Sequence, residues 1–519
     1  MSTVVGIDLG TTNSCVAYIT KMGTVECITN SEGYKTTPSV IQVNSTNEIV
    51  VGDIAKKEQC IMSDETISFA KRFMDVPDNL DFKQDGKIYS AIDASSLILK
   101  KLKNDAESFL NDTVKDAVIT VPAYFDINAK QATIQAAELI GLNVLQLIME
   151  PSAAAIYYSF ANANEFKNKR VAIFDFGGGT FDISIVDMNE GQADIVSTGG
   201  DPRLGGKDID AILVNIFKKY INDDFPNHSI DFEDNSVIAE LWETAENTKK
   251  TLSNKTVAKI KFRFLKEFRK EITLEEFESA INHLIEESMS HVRVVFEEAM
   301  QTTPVDEIIL VGGSTRIPLI EKKLEETTGL KPLKNINPDE SVALGAALMA
   351  KKITFDETEL LPVKMANLIK NIELKDIVPH GLGFDYRDSN DGTIRNHILI
   401  PQGTTIPVIE ETEGFYFEGN SVNHSVTQGD SDDIELVEVI GKLKIEKKLF
   451  ENNKIVKGNT ENRTNISISY EYTQSATIIT RVTDLSTKEV YTLELESKNL
   501  LTKKEITAKK DIIEKINVE

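Results

Sequence analysis

The chain has 519 residues, too many for one hydrophobic core, so several domains are expected. Apolar residues make up 41% and charged residues 27%, ordinary for a folded protein, while a net charge of −25 argues against nucleic acid as a direct ligand. Three cysteines (Cys15, Cys27, Cys60) without metal-type spacing, no basic-then-apolar leader and no bilayer-length apolar run point to a reducing, cytoplasmic setting without membrane contact.

The first element is an apolar run, Val4 to Ile7, closed by Asp8, then Leu9-Gly10-Thr11-Thr12-Asn13-Ser14 and a returning β-rich run from Cys15 to Ile19. It reads as strand, tight turn, strand. Lys115 to Val121 is a predicted strand, Ile127 to Leu139 a helix ending at Gly141, and Val144 to Ile148 another strand, followed by Glu150-Pro151 and a small-residue helix from Ser152 to Tyr158. The opening device then recurs: Val171 to Phe174, Asp175, Phe176, Gly177-Gly178-Gly179-Thr180-Phe181-Asp182 and a return from Ile183 to Val186. Helices follow over Asp208–Tyr220, Asn235–Leu252 and Thr273–Met300, and a buried-type strand from Glu307 to Val311 runs into Gly312-Gly313-Ser314-Thr315-Arg316 before a helix from Pro318. After about residue 355 the character changes. Val, Ile, Thr and Tyr with turn signals dominate from 377 to 496, including Ile466–Tyr472 and Ala476–Thr483, and the chain closes on a capping box, Thr502 to Glu505, leading a short helix with Ile506, Ile512, Ile513 and Ile516.

Two glycine turns, each preceded by an aspartate at the same offset, suit one polyphosphate. Glycine lets backbone N–H groups approach the oxygens as an anion nest, and the aspartate addresses a hydrated cation. The P-loop is absent, since Asp201 and Asp208 stand where Gly206-Lys207 would need Gly and Ser/Thr. So is the dinucleotide fingerprint, because no third spaced glycine follows Gly179.

These residues resemble the actin, sugar-kinase and heat-shock ATPase superfamily, and within it the seventy-kilodalton heat-shock chaperones of the DnaK type. The matching stretches are Gly6 to Ala17, Thr120-Val121-Pro122-Ala123-Tyr124-Phe125, Asp175 to Asp182, Val311 to Pro318, Asn337-Pro338-Asp339-Glu340 and Gly345-Ala346-Ala347, nearly continuous from residue 4 to about 355. The resemblance implies an α/β fold: a duplicated actin-like ATPase domain of two lobes around a nucleotide cleft (1–358), a linker (359–376), an all-β sandwich (377–497) and a short C-terminal helix, the remnant of a lid (498–519).

It also implies roles. Asp8 and Asp175, joined by Glu150, hold the water shell of Mg²⁺ on ATP or ADP; Lys71, in Phe69-Ala70-Lys71-Arg72-Phe73, reaches the γ-phosphate and orients the attacking water; Thr180, counted with the catalytic residues, supplies a donor to the phosphates. Gly10, Thr11, Thr12 and Asn13 in the first turn, and Gly177, Gly178 and Gly179 in the second, receive the phosphates. Glu246, Lys249, Lys250 and Ser253 on one helix, with Gly312, Gly313, Ser314, Arg316, Ile317 and Asp339, hold adenosine. Asp8 and Asp182 carry potassium sites. Where the family has an adenine-stacking arginine, Lys250 stands, and an ammonium does not stack as a guanidinium does. Lys130 stands where J-domain co-chaperones are received. A nucleotide exchange factor and unfolded or nascent polypeptide are the other implied partners.

Three features depart from the family. Lys370-Asn371-Ile372-Glu373-Leu374-Lys375-Asp376 replaces an apolar linker, so docking it is expected to be costly. Asn420 to Gln428, with His424, is polar where the family has an apolar pocket strand, and most of the lid is missing. The implied function is ATP-dependent chaperoning; the rival is a ribosome-associated or scaffold partner of a J-domain protein that binds ATP with little hydrolysis. A sugar kinase or an actin-like filament is disfavoured by the appended β region.

Overall fold

A computed structural model describes residues 3–43, 48–59, 61–80, 82–84, 87–161, 168–189, 192–301, 303–333, 339–356, 361–417, 422–445, 455–457, 464–474, 477–494 and 500–518. The first hairpin, Thr3–Asp8 and Asn13–Ile19, forms the centre of a six-stranded sheet. Thr3–Asp8 runs antiparallel to its hairpin partner, with Asp8 opposite Cys15, and parallel to Val114–Val121, with Asp8 opposite Thr120. Asn143–Met149 extends the sheet beyond Val114–Val121, and Val25–Cys27 and Thr36–Pro38 extend it on the other side.

The second hairpin repeats this arrangement. Lys169–Phe176 runs antiparallel to Phe181–Asn189, with Asp175 opposite Asp182, and parallel to Glu307–Val311, with Asp175 opposite Val311. Nearly every residue of these strands is buried, because helices cover both faces; hence apolar runs rather than alternation in the sequence. The helices Glu150–Ala161 and Ser341–Thr354 pack together between the two sheets. Gly345 permits that crossing: a Cβ there would lie 1.8 Å from the carbonyl oxygen of Ala153. Helix starts follow sequence signals, with Ser90/Asp93 and Thr273/Glu276 forming reciprocal capping boxes on Ala91–Leu110 and Leu274–Met300.

From Leu382 to Glu494, among the described residues, eight strands join in one hydrogen-bonded path and a ninth, Ile394–Ile400, pairs with Leu382–Asp388 off that path, around a core that includes Phe384, Phe415, Ile468 and Tyr470. The fold is therefore two actin-like α/β lobes followed by a β region and a short helix. Of the polar segment Asn420 to Gln428, the strand is Val422–Gln428; residues 420 and 421 and the side chain of His424 lie outside the described residues, as do Asn337 and Pro338.

The linker corrects the expectation that its charges oppose docking. Glu373–Lys375 adds a parallel strand to the edge of the second lobe's sheet, pairing with Gln192, Ala193 and Asp194. Strand alternation turns Glu373 and Lys375 outward, where they meet Gln192 at 3.0 Å and Asp194 at 2.8 Å, while Leu374 faces in. Asp376 is buried, and accepts from Ser152 Oγ at 2.5 Å.

The β region then lies against the first lobe. Ile127 enters its apolar core, His380 Nε2 is 3.2 Å from the carbonyl of Tyr124, and Lys130 Nζ contacts Tyr472 Oη at 3.3 Å. Lys130, expected to receive a partner, is therefore buried under the β region. The chain finally returns to the first lobe. The helix Lys503–Ile513 carries the expected Thr502/Glu505 capping box, and Ile513 and Val518 complete the lobe's own core. Lys100 Nζ donates to the carbonyls of Ile513, Glu514 and Ile516 at 2.7, 3.0 and 2.7 Å, Lys509 pairs with Asp93 at 2.6 Å, and Val518 bridges to Ile49.

Candidate functional site

The two hairpin turns meet face to face. A Cβ on Gly178 would fall 2.3 Å from Thr12 Cγ2, and one on Gly179 the same distance from Thr11 Cγ2, so only glycine fits where the turns touch. The second turn is closed by Gly177 N–H to the carbonyl of Thr180 at 3.0 Å, and the first is braced by Gly10 N–H to Ser14 Oγ at 3.2 Å.

Beside them opens a cavity of about 490 Å³. Its walls take Asp8, Gly10, Thr11, Thr12 and Asn13 from the first turn, Gly177, Gly178 and Thr180 from the second, and Lys71, Glu150 and Asp175 at the floor. The far side takes Glu246, Lys249, Lys250, Ser253, Gly312, Gly313, Ser314, Arg316, Ile317 and Asp339. Two anticipated residues stand back from the wall: Gly179 is packed on Thr11, and Asp182 is buried, accepting from Tyr124 N–H at 3.0 Å. Sequence reading missed others that line it, among them Lys56, Phe69, Lys207, Asp210 and Asn254. Asp210 had a usable signal, standing four residues beyond Gly206 on a helix that opens with a glycine turn; Lys56 had none.

Ion pairs organise the far side. Glu246 receives Lys56 of the first lobe at 2.9 Å and Lys250 of its own helix at 2.7 Å, so it joins the lobes across the cavity mouth. Burial pushes its carboxyl up, but the two lysines outweigh that and hold it at about 2. Lys250 is thus engaged as an ion-pair partner at the rim. Lys249 donates to Asp210 at 2.7 Å and to the carbonyl of Gly206, and Arg316 pairs with Asp339 at 2.7 Å.

At the floor, four carboxylates surround one cation. Lys71 and Glu150 are both buried and meet at 2.6 Å. Burial, then the charge of Glu150, pushes Asp8 to about 7, Lys71 and Thr120 opposing. Asp175 is pushed well above the carboxylate range by burial and by Glu150, Asp182 and Asp8. Asp182 is raised to about 7 by burial and Glu150. Such a cluster is short of positive charge.

A family profile described as "Hsp70 protein" matches residues 4–78 and 77–516. The chain belongs to the Hsp70 family. Similar relatives include the "Chaperone protein DnaK" of Thermotoga petrophila and that of Thermotoga maritima, each 38% identical over 418 residues, or 78% of this chain. The match spans 66% of each relative, just under two thirds of its length.

The donor set suits the Mg²⁺ that an Hsp70 nucleotide brings. Among the described residues no three Asp, Glu, His or Cys side chains converge as a direct metal cage. Mg²⁺ keeps most of its water, so dispersed carboxylates at Asp8, Glu150 and Asp175 fit a hydrated ion held through that shell. The positive charge such an ion supplies would offset the repulsion that raises Asp8 and Asp175. No separate observation supports a potassium site at Asp8 or Asp182.

Proposed function

We propose that this Hsp70 chain is an ATP-hydrolysing chaperone of the DnaK type, working in the cytoplasm. The observation that carries the reading is the pair of glycine turns in mutual contact above the Lys71–Glu150 pair and the Asp8 and Asp175 carboxylates. Turn amides from residues 10–13 and 177–180 would receive the phosphates of ATP or ADP. Bound Mg²⁺ would neutralise charge on the β- and γ-phosphates, with Asp8, Glu150 and Asp175 orienting its water.

Lys71 would reach the γ-phosphate, stabilise charge developing on it and orient the attacking water, Glu150 would hold Lys71 in place, and Thr180 would donate to the phosphates. Glu246, Lys249, Lys250, Ser253, Arg316 and Asp339 would hold adenosine. Potassium at Asp8 and Asp182 is retained as part of the proposal on resemblance alone. The division into an ATPase domain (1–358), linker (359–376), β-domain (377–497) and lid remnant (498–519) belongs to the same reading, as do its partners: a J-domain co-chaperone, a nucleotide exchange factor and unfolded or nascent polypeptide. Turnover is expected to be slow and raised by the J-domain partner. Among the described residues no helix is long and apolar enough to cross a membrane.

One observation favours a second reading. Lys130 is covered by the β region, and the terminal segment is seated in the first lobe's core, an arrangement suited to a ribosome-associated or scaffold partner of a J-domain protein that binds ATP without trapping peptide. Two measurements separate them: multiple-turnover hydrolysis with and without a J-domain, and anisotropy of a labelled apolar heptapeptide with and without ATP. ATP-sensitive peptide binding supports the chaperone, whereas nucleotide binding without turnover or peptide binding supports the partner.

A further inference from the structure

Lys207, in the first turn of the helix Gly206–Asp224 of the second lobe, enters the cavity wall, and its ammonium faces aromatic rings. It lies 4.4 Å from the centre of Phe69 and 6.0 Å from that of Trp242. Phe69 belongs to the first lobe and Trp242 to the helix Asn235–Leu252 of the second, so one cation spans the cleft between them. Phe69 is held at φ 60°, ψ 25°, a left-handed conformation that costs a bulky residue energy and places its ring at the cavity wall. The backbone N–H of Lys207 donates to the carbonyl of Gly178 at 2.8 Å, tying the same residue to the phosphate-facing turn. Burial and Arg72 lower its affinity for a proton, in keeping with an ammonium desolvated between aromatic faces.

We propose that Phe69, Lys207 and Trp242 form a cation–aromatic clasp across the cleft mouth that sets how long nucleotide stays bound. The proposal rests on the nucleotide reading of the cleft. A desolvated ammonium over aromatic faces attracts both rings, and nucleotide leaves only when the lobes part and break one of those contacts. Because Lys207 is bonded to the Gly178 turn, a shift of that turn on phosphate loss would move the clasp.

The test is release of N-methylanthraniloyl-ADP with Mg²⁺, chased by unlabelled ADP in a stopped-flow instrument. Lys207→Met keeps the stem and removes the charge; release is expected to quicken roughly three- to tenfold. Lys207→Arg keeps a cation over the rings and should restore slow release. Trp242→Leu, outside the cavity wall, should quicken release as well, and provides the test if the methionine variant fails to fold. Trp242 is also the single tryptophan of the chain, so its emission should respond to ADP in the native protein and lose that response in Lys207→Met. Unchanged release in Lys207→Met and Trp242→Leu, or equally fast release in Lys207→Arg, overturns the clasp alone. Failure of the native protein to bind the labelled nucleotide overturns the cleft reading with it.

Discussion

Lys71 is the cation that its floor most depends on, since Asp8, Glu150, Asp175 and Asp182 all crowd the same buried volume. Removing it with Lys71→Ala leaves Glu150 buried and unpaired, a cost of about 3 kcal/mol or more. Hydrolysis should fall about 10²-fold or further, since charge stabilisation at the phosphate goes with it. The double variant Lys71→Met with Glu150→Gln should recover most of the melting temperature yet none of the turnover, which separates folding from chemistry by calorimetry and phosphate release. Asp175→Asn should keep the fold and lose turnover; full activity in either variant contradicts the assigned roles. Residues inside recurring turns, such as Gly178 and Asp175, were legible because the turn itself demands them. Lys207 and Lys56 were not, since a lysine in a polar stretch looks the same whether it faces solvent or an opposing lobe.

Strands and helices were largely readable because burial on both faces leaves long apolar runs and caps mark the helix starts. The docked stretch at 373–375 was not legible, because charges that interrupt an apolar run look costly to dock until strand alternation assigns Glu373 and Lys375 to the exposed side. Its docking should depend on pH through two groups. Burial raises Asp376 from 3.8 to about 6, against the pull of Ser152 and Lys130, so docking is strongest below 3.8 and loses that contribution as pH rises through about 6, up to about 3 kcal/mol. Burial lowers His380 from 6.5, so its contribution is complete above 6.5 and is lost as pH falls through the docked value. Hydrogen exchange at residues 370–380, corrected for its intrinsic pH dependence, should therefore be fastest between the two limits, where both contributions are reduced. Asp376→Asn should remove the rise in exchange with rising pH, and His380→Gln the rise with falling pH; a flat native profile would contradict both assignments.

At the scale of the whole molecule, the terminal segment is the least expected part. Its helix was written in the sequence, but not its seat: Ile513 and Val518 are buried and Ile512 is exposed, and nothing local distinguishes them before the first lobe is folded. Lys100 joins three terminal carbonyls, so Lys100→Ala should cost about 1–3 kcal/mol and release the segment. Limited proteolysis after residue 500 should then quicken while the native protein resists; equal resistance would show that Lys100 does not hold it. The β region is thereby anchored twice, through Asp376 on one side and through Leu500 and Leu501 on the other, where Gln135 binds Leu501 in both directions at 2.8 and 3.0 Å. Between these moorings Ile127, Lys130 and His380 add direct contacts, so the β region is held along a whole face. Either mooring keeps the other's broken contacts at high effective concentration, so reattachment outruns wandering and each excursion of the β region stays brief.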